Sequence, residues 1–145
     1  MSRFYFWQKW LFYTSILFAL AGILFGIYGN NPLFVHYTNA LADIFWNSDQ
    51  IPGSTEPFRA FIWAPFGGTL ACCYILLAFI AYYPFARRER WSWYAIAIAF
   101  GIWIIIDSAA CIVYKVYFQV YIINVFSLLV KALPLIFTRK YFNKT

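Results

Sequence analysis

Charge is what this chain has least of: only 11% of its 145 residues are Asp, Glu, Lys or Arg, against about a quarter in soluble globular domains. Acid is scarcer still, confined to Asp43, Asp49, Glu56, Glu89 and Asp107. The single histidine, His36, excludes ligation of haem by two imidazoles and the His/carboxylate sets of di-metal helical sites. No metal site and no cofactor are therefore expected. Cys72, Cys73 and Cys111 form no C-x-x-C pair, and neighbours on a helix point in different directions, which disfavours thiol–disulfide chemistry. In apolar segments such cysteines pack as small hydrophobes. Enzymatic activity is not expected.

What the chain has instead is apolar and aromatic surface. Hydrophobic residues make up 64% of it, and seventeen Phe, twelve Tyr and seven Trp are too many for a small soluble core to hide. The lipid bilayer is the solvent that composition requires. Segments of about 20 apolar residues suffice to cross it, and four are legible, over about 10–29, 60–83, 91–114 and 117–138. The fold expected is all-α: one integral membrane domain over 1–145, a four-helix bundle. Asn30, Asn31 and Pro32 stop the first span, because Pro removes a backbone donor and disfavours helix before it. In the long connection that follows, Leu41, Ile44 and Phe45 recur at helical spacing, predicting a short interfacial helix over about 37–47. Pro65 falls near the start of the second span, where it is tolerated, and Pro84 ends that span.

Basic residues set the orientation. With the amino terminus inside, Arg3, Lys9, Arg87, Arg88, Arg90, Arg139, Lys140 and Lys144 share one side and only Arg59 and Lys115 the other. Both termini are thus expected in the cytoplasm of a cell whose inner membrane holds the chain, with the long acidic loop outside. The net charge of +6 follows from this topology and from anionic headgroups. It gives no argument for nucleic acid.

Two further patterns bear on packing and chemistry. Gly22 and Gly26 on the first span, and Ala60, Ala64, Gly68 and Cys72 on the second, make small-residue stripes that let helices approach closely, within the chain or in a homo-oligomer. Asp107 is the only acid within a span, and an intramembrane carboxylate costs about 2.5–3.5 kcal/mol on insertion scales, so it usually faces protein and marks a functional site. Counting about 1.5 Å per residue puts Asp107 about 24 Å, and Asn124 and Thr69 about 21 Å, above the inner boundary. One polar layer is expected, of Asp107, Asn124 and Thr69 with Ser108 beside them. Helical spacing adds Phe100, Trp103, Ala110, Cys111 and Tyr114 to the Asp107 face. A ligand-binding pocket for a cationic or lipid-like molecule, or a proton-coupled transport site, is the chemical reading of Asp107, Asn124, Thr69, Trp103 and Tyr114; polar glue that fixes helix register is the plainer one. Lys131 lies about 10 Å from the inner end, within reach of the interface by snorkelling, and about 14 Å below Asp107, too far for an ion pair.

The basic hairpin followed by W-x-W in RRERWSWY, with PLIFTRKYF near the end, resembles small uncharacterised bacterial four-pass membrane proteins. That resemblance implies topology and no activity. In architecture the chain is also similar to sterol isomerase-like four-helix proteins, whose pockets use paired acids where Asp107 stands alone. It is similar in span number to small multidrug transporters, whose membrane acid lies in their first helix. The function expected from the sequence is an accessory or structural subunit packing against a larger membrane protein, the alternative being ligand binding or proton-coupled transport at Asp107.

Overall fold

Four helices long and apolar enough to cross a membrane organise the chain, which a computed structural model describes over residues 3–29 and 34–142. Helix α1 spans Arg3–Tyr28, α2 Val35–Trp46, α3 Glu56–Tyr82, α4 Arg90–Val113 and α5 Val125–Thr138, and no strand occurs among the described residues. A π-helical stretch, Gln119–Asn124, leads into α5. Asn30, Asn31, Pro32 and Lys144 lie outside the described residues.

Helices α1 and α3 begin earlier than hydropathy predicts. Helix α1 starts at Arg3 rather than near Trp10, because its polar first turns have partners: Phe4 is fully buried and stacks on Phe85, and Gln8 Nε2 donates to the Ala81 carbonyl at 2.9 Å. Pro65 is correspondingly deep inside α3 rather than near its start. The 37–47 helix is present as α2, closed by Asn47 in the left-handed conformation.

The chain divides into two compact units, the first made of residues 1–17 and 74–145, the second of residues 18–73. In the second, the glycine stripe of α1 meets α3 at backbone distance. A Cβ on Gly67 would stand 2.4 Å from the Gly26 Cα and 2.6 Å from the Gly22 carbonyl oxygen, and one on Gly22 would stand 2.7 Å from the Ala71 nitrogen. The meeting face of α3 is therefore Ala64, Gly67 and Ala71, whereas Gly68 faces open space and Cys72 is exposed. The stripe read from strict four-residue spacing is corrected by helix geometry: each step of four overshoots a turn by about 40°, so residues 60 and 72 stand about 120° apart, while alternating steps of three and four keep one face. Aromatic rings close this unit, Phe25 lying against Trp63, Phe66 and Phe34. At the start of α3, Arg59 pairs with Glu56 and lies over the Trp63 ring at 4.8 Å.

In the first unit, a three-residue turn, Tyr114, Lys115 and Val116, joins α4 to the helical segment that begins at Tyr117 and runs through the π stretch into α5. Val116 N–H donates to the Cys111 carbonyl at 2.8 Å and Lys115 N–H to that of Ile112 at 3.1 Å, with Lys115 at φ 62°. This is the Schellman closure, with Lys115 in the place glycine usually takes. It sends the chain straight back along α4. Further down, Pro134 leaves the Val130 carbonyl without its helical donor, and the Trp10 indole N–H supplies one at 3.1 Å. Trp93 donates likewise to the Leu135 carbonyl at 2.9 Å, near the end of α5. The Val130 carbonyl has no water to turn to in lipid, so the Trp10 indole fixes α1 against α5, while Trp93 ties α4 to a Leu135 carbonyl that Arg139 N–H already serves.

Candidate functional site

The tight turn at Lys115 makes α4 and the π–α5 segment antiparallel neighbours, and the residues that meet across them are the polar ones. Asn124 Nδ2 donates to Asp107 Oδ2 at 2.7 Å and to Ser108 Oγ at 3.1 Å. Gln119 Nε2 reaches the same carboxylate, 3.2 Å from Oδ2 and 3.4 Å from Oδ1. One turn along α4, the Cys111 thiol points at Oδ2 from 3.6 Å. Asp107 is half-buried, whereas Asn124 is only 1% exposed.

The π-helical geometry explains how two amides five residues apart serve one carboxylate. On an α-helix, Gln119 and Asn124 would stand about 140° apart around the axis, on different faces. The wider turn of a π-helix, with bonds from i to i+5, brings them toward one side. Such turns recur at functional sites. The cluster also leaves a debt: Asn124 Oδ1 is buried and has no hydrogen-bond partner. Most buried polar atoms are paired, so an orphan acceptor in a polar cluster needs a reason, such as a bound water, ion or ligand.

Of the five residues expected to share a site, Asp107 and Asn124 are thus in direct contact. Trp103, one turn before Asp107, is half-buried and packs edge-on to Phe100, with ring centroids 6.2 Å apart. Tyr114 caps the end of α4 and is 61% exposed. Thr69 is exposed on α3 and belongs to the second unit. Gln119 was not foreseen; the spacing that reveals it is visible only once a π-turn replaces the α-helical period.

One heptad below on both helices lies a second polar centre. Phe100 is seven residues from Asp107 and Lys131 seven from Asn124, about 10 Å of rise. Lys131 is 1% exposed; its Nζ donates to the Tyr74 hydroxyl at 2.6 Å and lies 4.7 Å and 5.2 Å from the centroids of the Tyr74 and Phe100 rings. The expected snorkelling is therefore replaced by inward burial. Aromatic faces and a hydroxyl oxygen give the ammonium a protein substitute for water. Ser127, buried on the same face of α5, lies between the two centres.

Compared with protein-family models, with curated proteins and with solved structures, the chain matches none.

Proposed function

We propose that this chain is a multi-pass protein of the inner membrane, with both termini cytoplasmic, that binds a small cationic or lipid-like ligand in the outer half of the bilayer at Asp107. The basic residues flanking the spans support the orientation, eight of them on one side against two on the other. With that orientation α2 belongs to the outer loop, where its apolar residues would lie in the interface.

The observation that carries the binding reading is the state of the polar cluster. A carboxylate in the membrane is half-buried, two amides from the facing helix aim at it, and the buried Asn124 Oδ1 beside it has no donor. Glue that only fixed helix register would be satisfied by its own partners. The test is native mass spectrometry of gently extracted protein. A small bound mass should survive on the parent chain and vanish from Asp107→Asn. Identical bare spectra for both proteins would reject the reading.

A second reading, an accessory subunit in a larger membrane complex, draws on α4. Only 11% of its apolar stretch is buried within the chain, and Ile98, Ile102, Ile105 and Ile106 are all exposed. Such a face suits a partner helix as well as lipid. Co-purification of a stoichiometric protein under mild extraction, lost when Ile102 and Ile105 are replaced by Trp, is the result this reading requires.

A further inference from the structure

We propose that the ligand at Asp107 is a primary ammonium compound with an apolar tail, whose N–H groups donate to Asp107 and Asn124 in the place now held by Gln119. This rests on the ligand-binding reading above and adds the chemistry of the ligand.

The argument is one of spare hydrogen-bonding capacity. A carboxylate offers about four acceptor positions. Asp107 Oδ2 is crowded by Asn124 at 2.7 Å, Gln119 at 3.2 Å and the Cys111 thiol at 3.6 Å, while Oδ1 receives only the 3.4 Å contact from Gln119. Asn124 Oδ1 receives nothing. What Asp107 and Asn124 have left over is therefore acceptors, and a ligand that completes those two side chains must bring donors.

Charge narrows the class. The groups around Asp107 are amides, a hydroxyl and a thiol, and no basic side chain pairs with it among the described residues. An ammonium supplies positive charge and three N–H donors, and bonds between charged partners are about twice as strong as neutral ones. The group that yields is Gln119. Its contacts lie at the long edge of the hydrogen-bond range, whereas the Asn124 bond is short. Gln119 is half-buried, and its displacement would free the acceptor positions of Asp107 that it now takes. Trp103, half-buried one turn before Asp107 on the same face of α4, gives an alkyl tail an apolar wall.

Three probes with one tail separate the possibilities: dodecylammonium, which has charge and N–H donors; dodecyltrimethylammonium, with charge and no donor; and dodecanol, with a donor and no charge. Each is titrated into the protein in phosphatidylcholine nanodiscs and read by native mass spectrometry. The side-chain amide ¹⁵N–¹H signals of Asn124 and Gln119 are followed in parallel. The expected result is one saturable site for dodecylammonium, at least about tenfold tighter than for either analogue, absent in Asp107→Asn and no weaker in Gln119→Leu. The Asn124 amide signals should move with dodecylammonium and stay with the trimethyl compound, a readout that needs no substitution. Equal binding of the trimethyl compound or of dodecanol, still dependent on Asp107, overturns the ammonium assignment and leaves the pocket standing. Weaker binding to Gln119→Leu overturns the displacement of Gln119. Binding of dodecylammonium that is unchanged in Asp107→Asn, or none of the three probes binding saturably, removes the pocket as well.

Discussion

Neighbouring glycines on α3 give a contrast in which a single methyl group has opposite consequences. At Gly67 a Cβ would be 2.4 Å from both the Cα and the nitrogen of Gly26, and 2.6 Å from the Gly22 carbonyl oxygen. All three are backbone atoms, so no side chain can turn aside. Since carbon atoms settle at about 3.5–4.0 Å, α1 and α3 would have to part by about 1 Å along this crossing. Overpacking of this kind costs about 1–3 kcal/mol. The helix propensity of Ala over Gly returns up to about 1 kcal/mol, so with that gain in full Gly67→Ala should still destabilise by up to about 2 kcal/mol and stand about 1–3 kcal/mol below Gly68→Ala. At Gly68 a Cβ meets nothing within 4 Å. Only the propensity gain acts there, and Gly68→Ala should be neutral or stabilising by up to about 1 kcal/mol. Unfolding in mixed micelles with increasing denaturing detergent, followed by tryptophan fluorescence, measures both. Equal stability of the two variants would refute the crossing, and a loss confined to Gly68→Ala would restore the four-residue stripe.

Other predictions follow from the hydrogen bonds. Trp10→Phe should cost about 1–3 kcal/mol by stranding the Val130 carbonyl; in a Pro134→Ala background, where the backbone again offers that carbonyl a donor, the same change should cost less, and a double-mutant cycle in the same assay reads the difference. Lys115 is held at φ 62°, so Lys115→Gly should raise stability by about 1 kcal/mol through relief of left-handed strain, seen as a higher unfolding midpoint. Lys131→Met keeps volume and removes a buried charge and should be tolerated far better than Lys131→Ala, which opens a cavity costing about 2–4 kcal/mol; thermal unfolding of the two variants in micelles ranks them.

The number and approximate place of the four long apolar helices were legible because lipid demands about 20 apolar residues whatever the tertiary structure. Their ends were not. Hydropathy marks where polar residues begin, but Arg3–Lys9 are helical because Phe4 and Gln8 find partners on the hairpin end of α3. Depth counting brought Asp107 and Asn124 to one level, since antiparallel helices joined by a short turn conserve register. It could not find Gln119, because the count assumes 3.6 residues per turn and the chain departs from that value at residues 119–124. The glycine face was misplaced by one residue for a related reason, a period of four standing in for 3.6. Lys131 was read from its length, which permits snorkelling, while its actual direction was decided by Tyr74 and Phe100 on two other helices.

The central claim is that Asp107 and Asn124 meet within the membrane and that their unused acceptors are filled by a small ligand. The most direct measurement is of the Asn124 side-chain amide ¹⁵N–¹H signals in protein extracted gently from its own membrane, before and after small molecules are stripped by detergent exchange. The account predicts that the signals shift on stripping, return when the stripped fraction is added back, and are indifferent to both treatments in Asp107→Asn. Asn124 signals that are the same in stripped and unstripped parent protein would contradict it, leaving the cluster as an internal contact between α4 and α5.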